Sequence, residues 1–116
     1  MNDSLVIRTT HDAPSLVVAR AQGVLDASTV PTLLSWVAAH RAAGRHIVLN
    51  LAGVSFIASS GVGALLSLDE ELRDDGASFR LAQLSPGVDS VLRLLNLDQF
   101  LTIEPSEEAA IAAAGH

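Results

Sequence analysis

The chain is 116 residues long and 49% hydrophobic, which fits one globular domain with an apolar core. Its net charge is −6 and all seven basic residues are arginine, so nucleic acid or an anionic membrane is not expected as the main partner. Cysteine is absent, which excludes disulfides and cysteine zinc sites, and with no signal peptide or membrane-inserted segment evident we expect a cytoplasmic domain.

Two strands and a helix are predicted in the first third of the chain. Residues 5–9 and 16–21 are rich in β-branched and apolar side chains and flank a turn-like segment, so we expect an antiparallel pair. Apolar residues then recur at helical spacing over residues 30–43. Side chains able to cap this helix precede it at 26–29, and Gly44 follows it.

The rest of the chain is predicted to alternate strands with helices. Strands are expected over residues 46–51, 79–82 and 100–103, and helices over residues 60–75, 88–95 and from 107 onwards. Ser106 is the expected cap of the last helix. This order predicts an α/β fold, with a mixed, mostly parallel sheet of four or five strands and about four helices. The N-terminal strand is the expected antiparallel exception in this sheet. We expect one domain over residues 1–116, with a folded core from about residue 5 to residue 112.

The segment SFIASSGVG, residues 55–63, is a candidate functional site, because two hydroxyls and two glycines follow an apolar run. A hydrolase nucleophile elbow needs G-x-S-x-G, and neither Ser59 nor Ser60 has both glycines. A P-loop needs a lysine, which the chain lacks, and a dinucleotide fingerprint needs a third glycine. Four dispersed histidines do not form a metal-ligand pattern. We therefore expect neither an enzyme nor a cofactor or metal.

Two interpretations of these serines remain, and both follow from their position at the start of a predicted helix. One serine oxygen is expected to cap the helix by accepting a hydrogen bond from a free amide. The other serine is expected to be exposed, where free amides, the helix dipole and nearby glycines favour an added phosphate. Such a phosphate would set new charge and bulk against a docked partner without a change of fold.

The stretch HIVLNLAGVSFIASSGVGALL, residues 46–66, resembles the core motif of STAS-domain anti-sigma-factor antagonists, also called anti-anti-sigma factors. That motif is a buried strand, a v-x-F-x-D-S-S/T-G-L-G loop and an apolar helix. Residues 23–26 (GVLD) are similar to the family's G-E-L-D segment, and Ser85-Pro86 to its step before the third helix. The resemblance covers nearly the whole chain and implies a single STAS domain.

The resemblance implies a small switch protein. In this family the unphosphorylated protein binds an anti-sigma factor that is also a serine kinase, and this frees a sigma factor. The kinase phosphorylates a loop serine, the complex then separates, and a serine phosphatase restores the binder. Carried over to this chain, the phosphoacceptor is Ser59. The other matching positions are the cap Ser60, the loop and helix glycines Gly61 and Gly63, and Asp26, an acid beside the site.

One position departs from the family pattern, since Ala58 stands where the family usually has aspartate. That acid could orient the serine hydroxyl or contact the metal-nucleotide centre of the kinase. The partner-binding surface is predicted to include Asp26, Ala58 and, on the second helix, Ser60, Gly61, Val62, Gly63 and Leu66. We expect Asp26 and Asp69 at the rim of this surface. The alternative for the two apolar side chains is burial in the core.

A second function fits the same surface without phosphorylation. The chain would then be a STAS accessory or scaffold subunit of another complex, such as a lipid-transport ABC system or a stressosome-like assembly. In both cases the expected partners are proteins, and the chain itself is expected to be a monomer or a weak homodimer.

Overall fold

The fold is described by a computed structural model over residues 4–115. Five strands are present in that range: β1 (Leu5–Ala13), β2 (Leu16–Leu25), β3 (His46–Ile57), β4 (Phe79–Ala82) and β5 (Thr102–Glu104). The same range contains four α-helices: α1 (Val30–His40), α2 (Ser59–Asp74), α3 (Pro86–Leu94) and α4 (Glu107–Ala114). A 3-10 turn at Leu97–Gln99 precedes β5. The predicted α/β fold is therefore confirmed, and none of these helices is long and apolar enough to cross a membrane.

The five strands form one sheet in the order β1-β2-β3-β4-β5. β1 is antiparallel to β2 and every other pair is parallel, which confirms the predicted N-terminal exception. Each parallel pair is joined through a helix, and such crossovers are almost always right-handed. Because the strands follow one another in a single direction, α1, α2 and α3 lie on the same face of the sheet.

The two faces of the sheet are covered to different extents. The main core lies under α1, α2 and α3 and contains residues such as Leu33, Leu65 and Leu92. The opposite face carries a smaller apolar cluster beneath α4, where Val48 and Ala110 are fully buried. Since α4 is only eight residues long, it covers Leu16 and Val18 of β2, whereas β1 and the second half of β2 remain open to solvent on this face.

Several strand and helix boundaries differ from those predicted. β3 was predicted to end at residue 51 and continues to Ile57, because it pairs in parallel with β2 as far as Leu25. The β1–β2 hairpin is also longer than predicted, with only Pro14 and Ser15 between its strands. α1 ends at His40, three residues before the predicted end. Pairing between neighbouring strands extends these elements beyond what local sequence indicates.

Candidate partner-binding site

The segment SFIASSGVG contains no true loop. β3 runs through Ile57, α2 begins at Ser59, and Ala58 alone lies between them. The backbone of Ala58 is extended, with φ −97° and ψ 172°, and its N–H donates to the Leu25 carbonyl at 2.9 Å. Pairing with β2 therefore continues up to the first residue of the helix. The sheet fixes the point at which α2 starts.

The prediction that Ser60 caps α2 is wrong. Ala58 is the N-cap residue, and no side chain accepts a hydrogen bond from the first-turn amides there. Ser59 and Ser60 are instead the first two helical residues, and both are exposed. The helix begins earlier because strand pairing holds Ala58 in the extended conformation that an N-cap residue needs. With alanine at this position, α2 lacks the oxygen that aspartate or serine would supply.

Replacing Ala58 by aspartate should stabilise the chain by about 0.5–2 kcal/mol, because the carboxylate would accept from the free amides and lie at the positive end of the helix dipole. Urea unfolding at pH 7 measures this gain. Ala58→Asn provides the matched control, since an amide caps without charge. The advantage of aspartate over asparagine should disappear as the pH falls through about 4. Stability equal to wild type in both variants would contradict the uncapped helix.

Ser59 lies on the same side of α2 as Gly63 and Leu66. At 3.6 residues per turn these positions fall within about 60° of one another around the helix axis, whereas Ser60 is about 100° away from Ser59. Ser59 and Gly63 are exposed and Leu66 is half-buried. We call Ser59, Gly63 and Leu66 the α2 stripe. It forms an accessible surface with the hydroxyl at its amino-terminal end.

An open groove of about 450 Å³ continues from the stripe, between α2 and the 3-10 turn. Leu66 lines it from α2, and the exposed ring of Phe100 lines it from the opposite side. Asp69, predicted at the rim of the surface, also lines this groove, but it is only 8% exposed. Burial raises the pKa of Asp69, and the guanidinium of Arg73, 3.1 Å from its carboxylate, partly opposes this shift. Asp69 therefore pairs with Arg73, one turn further along α2, at the border between the core and solvent.

Two residues predicted to contact a partner lie inside the protein. Val62 is 6% exposed and belongs to the main core, so burial is the correct alternative for Val62 but not for Leu66. Gly61 is also buried, and a Cβ atom there would lie 2.7 Å from the Leu25 carbonyl oxygen. The absence of a side chain at Gly61 lets α2 pack directly against the end of β2. Both residues therefore pack α2 against the rest of the protein and fix the position of the α2 stripe.

Asp26 lies in the turn next to the start of α2, directly after Leu25, whose carbonyl accepts from Ala58. Its Oδ1 accepts hydrogen bonds from the Ser28 hydroxyl at 2.7 Å, from the Ser28 N–H at 2.9 Å and from the Thr29 N–H at 3.2 Å. The bond from the Ser28 hydroxyl lowers the pKa of Asp26 most strongly. The carboxylate thus stays ionised and organises the turn between β2 and α1.

Two exposed phenylalanines were missed by the sequence prediction. Phe56 is 54% exposed, two residues before Ala58, and Phe100 is 61% exposed at the groove. The chain has only three phenylalanines, and the third, Phe79, is 1% exposed in the core. Exposed aromatic side chains mark protein-binding surfaces more often than charged ones do. No local signal separated Phe56 and Phe100 from Phe79, because composition alone assigns all three to the core.

The whole fold agrees with that of known proteins. The STAS domain model matches residues 5–110. The anti-sigma-F factor antagonist RsfA of Mycobacterium tuberculosis is 29% identical over 106 residues, which cover 89% of this chain and 81% of RsfA. An anti-sigma factor antagonist from Mycobacterium paratuberculosis has a solved structure that matches at TM-score 0.85 and 24% identity, over 100% of this chain and 98% of that one.

A third similarity involves a phosphorylated protein. The Bacillus cell fate determinant SpoIIAA, solved in its phosphorylated form, matches at TM-score 0.67 and 25% identity, over 93% of this chain and 98% of that one. The family model spans nearly all of the described residues, and the fold matches that of the solved structures. The chain belongs to the STAS domain family.

Proposed function

We propose that this chain is an anti-sigma-factor antagonist, which binds an anti-sigma factor and thereby frees a sigma factor. The α2 stripe carries this proposal, because it combines an exposed hydroxyl, an exposed glycine and a half-buried leucine next to an open groove with an exposed aromatic ring. Apolar side chains around a few polar groups are typical of a protein interface. The names of RsfA and of the Mycobacterium paratuberculosis protein support an anti-sigma factor as the partner.

Phosphorylation of Ser59 is the proposed switch. Ser59 is exposed at the first helical position, where uncapped amides and the helix dipole favour an anion. A phosphate would add roughly −1.5 to −2 charges at one end of the stripe. A partner that covers Leu66 would then have to desolvate that charge, which disfavours the complex. The similarity to SpoIIAA, solved in a phosphorylated form, supports phosphorylation as a modification of this fold.

Three proteins take part in the proposed cycle. The anti-sigma factor is also the serine kinase that modifies Ser59, and a serine phosphatase removes the phosphate and restores binding. The chain acts without catalytic activity of its own, as a cytoplasmic monomer or weak homodimer. Asp26 lies ionised beside the start of α2, where it adds a fixed negative charge for the partner to recognise.

Ala58 favours a second candidate function. The N-cap position before Ser59 carries no carboxylate, so the chain lacks the acid that would orient the hydroxyl or contact the nucleotide centre of a kinase. A STAS accessory or scaffold subunit needs the same docking surface without that acid. Its partner would be the ATPase of a lipid-transport ABC system or another subunit of a stressosome-like complex.

Capture of the partner from the native lysate, followed by Mg-ATP, tests the switch. Intact-mass measurement should detect one added phosphate on the wild-type chain and none on Ser59→Ala. Ser60→Ala is the matched control, since Ser60 is equally exposed one position along the helix, and it should still gain the phosphate. A phosphate that persists in Ser59→Ala would contradict the assignment. A transporter ATPase as partner, with no change in mass, would support the second function.

A further inference from the structure

The open part of the sheet, on the face opposite α2, contains a polar cavity of about 420 Å³. It lies beside α4, where that short helix leaves β1 and the second half of β2 uncovered. Its polar lining residues come from three strands and from the residue after β4: Arg8, Arg20, Gln22, Asn50 and Gln83. The cavity is separate from the α2 stripe because the sheet lies between them.

Arg8 and Arg20 are direct cross-strand partners on this face. Like charges directly opposite one another destabilise an antiparallel pair. Six of the seven arginines form a salt bridge with a carboxylate, namely Arg20, Arg41, Arg45, Arg73, Arg80 and Arg93. Within residues 4–115, the side chain of Arg8 has neither an ion pair nor a hydrogen bond. In a chain of net charge −6, this cation has no counter-ion among residues 4–115, and a second cation faces it.

The second cation is held in a fixed orientation. Arg20 donates through Nε and Nη2 to the two carboxylate oxygens of Glu107, at 2.8 and 3.1 Å. Its Nη1 donates to no group within the described part of the chain. Since Glu107 is engaged by Arg20 and also accepts from Asn50 Nδ2 at 2.6 Å, its charge is already neutralised by Arg20. The cavity therefore retains a net positive charge from Arg8.

Gln83 adds a neutral donor to the cavity. Its Oε1 accepts from the buried Asn50 Nδ2 at 2.8 Å, which leaves the Gln83 Nε2 hydrogens for other acceptors. Gln83 has a φ of 52°, a left-handed conformation that costs energy for a residue with a side chain. The hydrogen bond to Asn50 and the backbone bond from Gln83 N–H to the Glu104 carbonyl hold the residue in this conformation.

We propose that this cavity binds a small phosphate-bearing anion between Arg8 and Arg20, with the Gln83 amide as a third donor. Guanidinium groups donate in a planar fork that matches phosphate oxygens, and such charge-assisted bonds are the strong ones. The anion would supply the counter-charge that Arg8 lacks among the described residues. The cavity has room for a small ester beyond the phosphate itself, and no aromatic side chain lines it to stack with a nucleotide base.

Calorimetric titration with inorganic phosphate and with glycerol 3-phosphate, in chloride buffer of matched ionic strength, tests the proposal. Wild type should bind saturably, and Arg8→Gln should bind at least about tenfold more weakly. Arg93→Gln removes an exposed arginine of α3 that does not line the cavity, and this variant should bind as wild type. Without ligand, the Tm of Arg8→Gln should equal that of wild type or exceed it by up to about 4 °C, because the charge opposition is relieved.

Three results would overturn the proposal. The first is the absence of saturable binding of either compound up to about 10 mM. The second is equal weakening by Arg8→Gln and Arg93→Gln, which would indicate a general effect of net charge. The third is binding of a hexaglutamate peptide, with Arg8 required, when neither phosphate compound binds, since the arginines would then form a protein contact. Tighter binding of glycerol 3-phosphate than of inorganic phosphate would support an ester as the ligand.

Discussion

Replacing Ser59 by aspartate should weaken binding to the anti-sigma factor at least about 30-fold, because a charge left unpaired in an interface costs about 2–5 kcal/mol. The same change should leave the free chain as stable as wild type or up to about 1 kcal/mol more stable, because acids near a helix N-terminus are favourable. Ser59→Ala should bind as wild type does. Titration calorimetry with the purified partner and urea unfolding of the free chain measure the two effects separately.

An exposed serine on α3 provides the control for this prediction. Ser90→Asp adds the same charge at an exposed position outside the α2 stripe and should leave the affinity unchanged. Wild-type affinity of Ser59→Asp would place Ser59 outside the interface. An equal loss in Ser90→Asp would indicate that total charge, rather than position, sets the affinity.

Gly61→Ala should destabilise the chain by about 1–3 kcal/mol, whereas Gly63→Ala should stabilise it by about 0.5–1 kcal/mol. The two glycines lie two residues apart near the start of α2, but their surroundings differ. A Cβ at Gly61 would lie 2.7 Å from the Leu25 carbonyl oxygen and 2.9 Å from Ile57 Cγ1, while a Cβ at Gly63 would meet no atom within 4 Å. At Gly63 the substitution only removes the entropic cost of glycine in a helix.

Thermal unfolding of the two variants should give Tm shifts of opposite sign, each about 4 °C per kcal/mol for a domain of this size. Gly63→Ala also serves as the control for Gly61→Ala, since both add one methyl group to α2. Shifts of the same sign would mean that α2 does not pack against the end of β2 as described. Preserved partner binding in Gly63→Ala would indicate that the partner leaves room above this position.

The order of the strands and helices was predictable because hydrophobic periodicity and the glycines and prolines that end elements are local features of the sequence. The alternation of short apolar strands with helical repeats predicted a mostly parallel sheet, and Ser106 was correctly predicted as the cap of the last helix, accepting from the Ala109 N–H at 3.0 Å. The start of α2 was not predictable to the residue. Pairing of Ile57 with Leu25 extended β3 and moved the N-cap to Ala58, and such pairing involves residues 32 positions apart.

The site could be predicted only in part for the same physical reason. The motif identified Ser59 and its neighbours along the chain, but the exposure of each side chain depends on tertiary packing. Helical spacing alone could not decide whether Asp69 faced solvent, and the position of the core decided it. The opposition of Arg8 and Arg20 depends on the register of the hairpin, which the β-bulge between Thr9 and His11 alters farther along the strand.

The single-residue connection between β3 and α2 has a consequence for the energetics of switching. The Ala58 N–H is hydrogen-bonded to the Leu25 carbonyl, and the helix begins at the next residue. Gly61 lets α2 pack against the end of β2, so the backbone at this end of the helix is held on both sides and cannot rearrange freely. A charge added at Ser59 would therefore meet the same backbone before and after modification. Most of the free-energy difference between the two forms would then reside in the complex. Amide hydrogen exchange of α2 in the unbound chain should be unchanged or slower on modification, since a negative charge at the helix N-terminus is favourable.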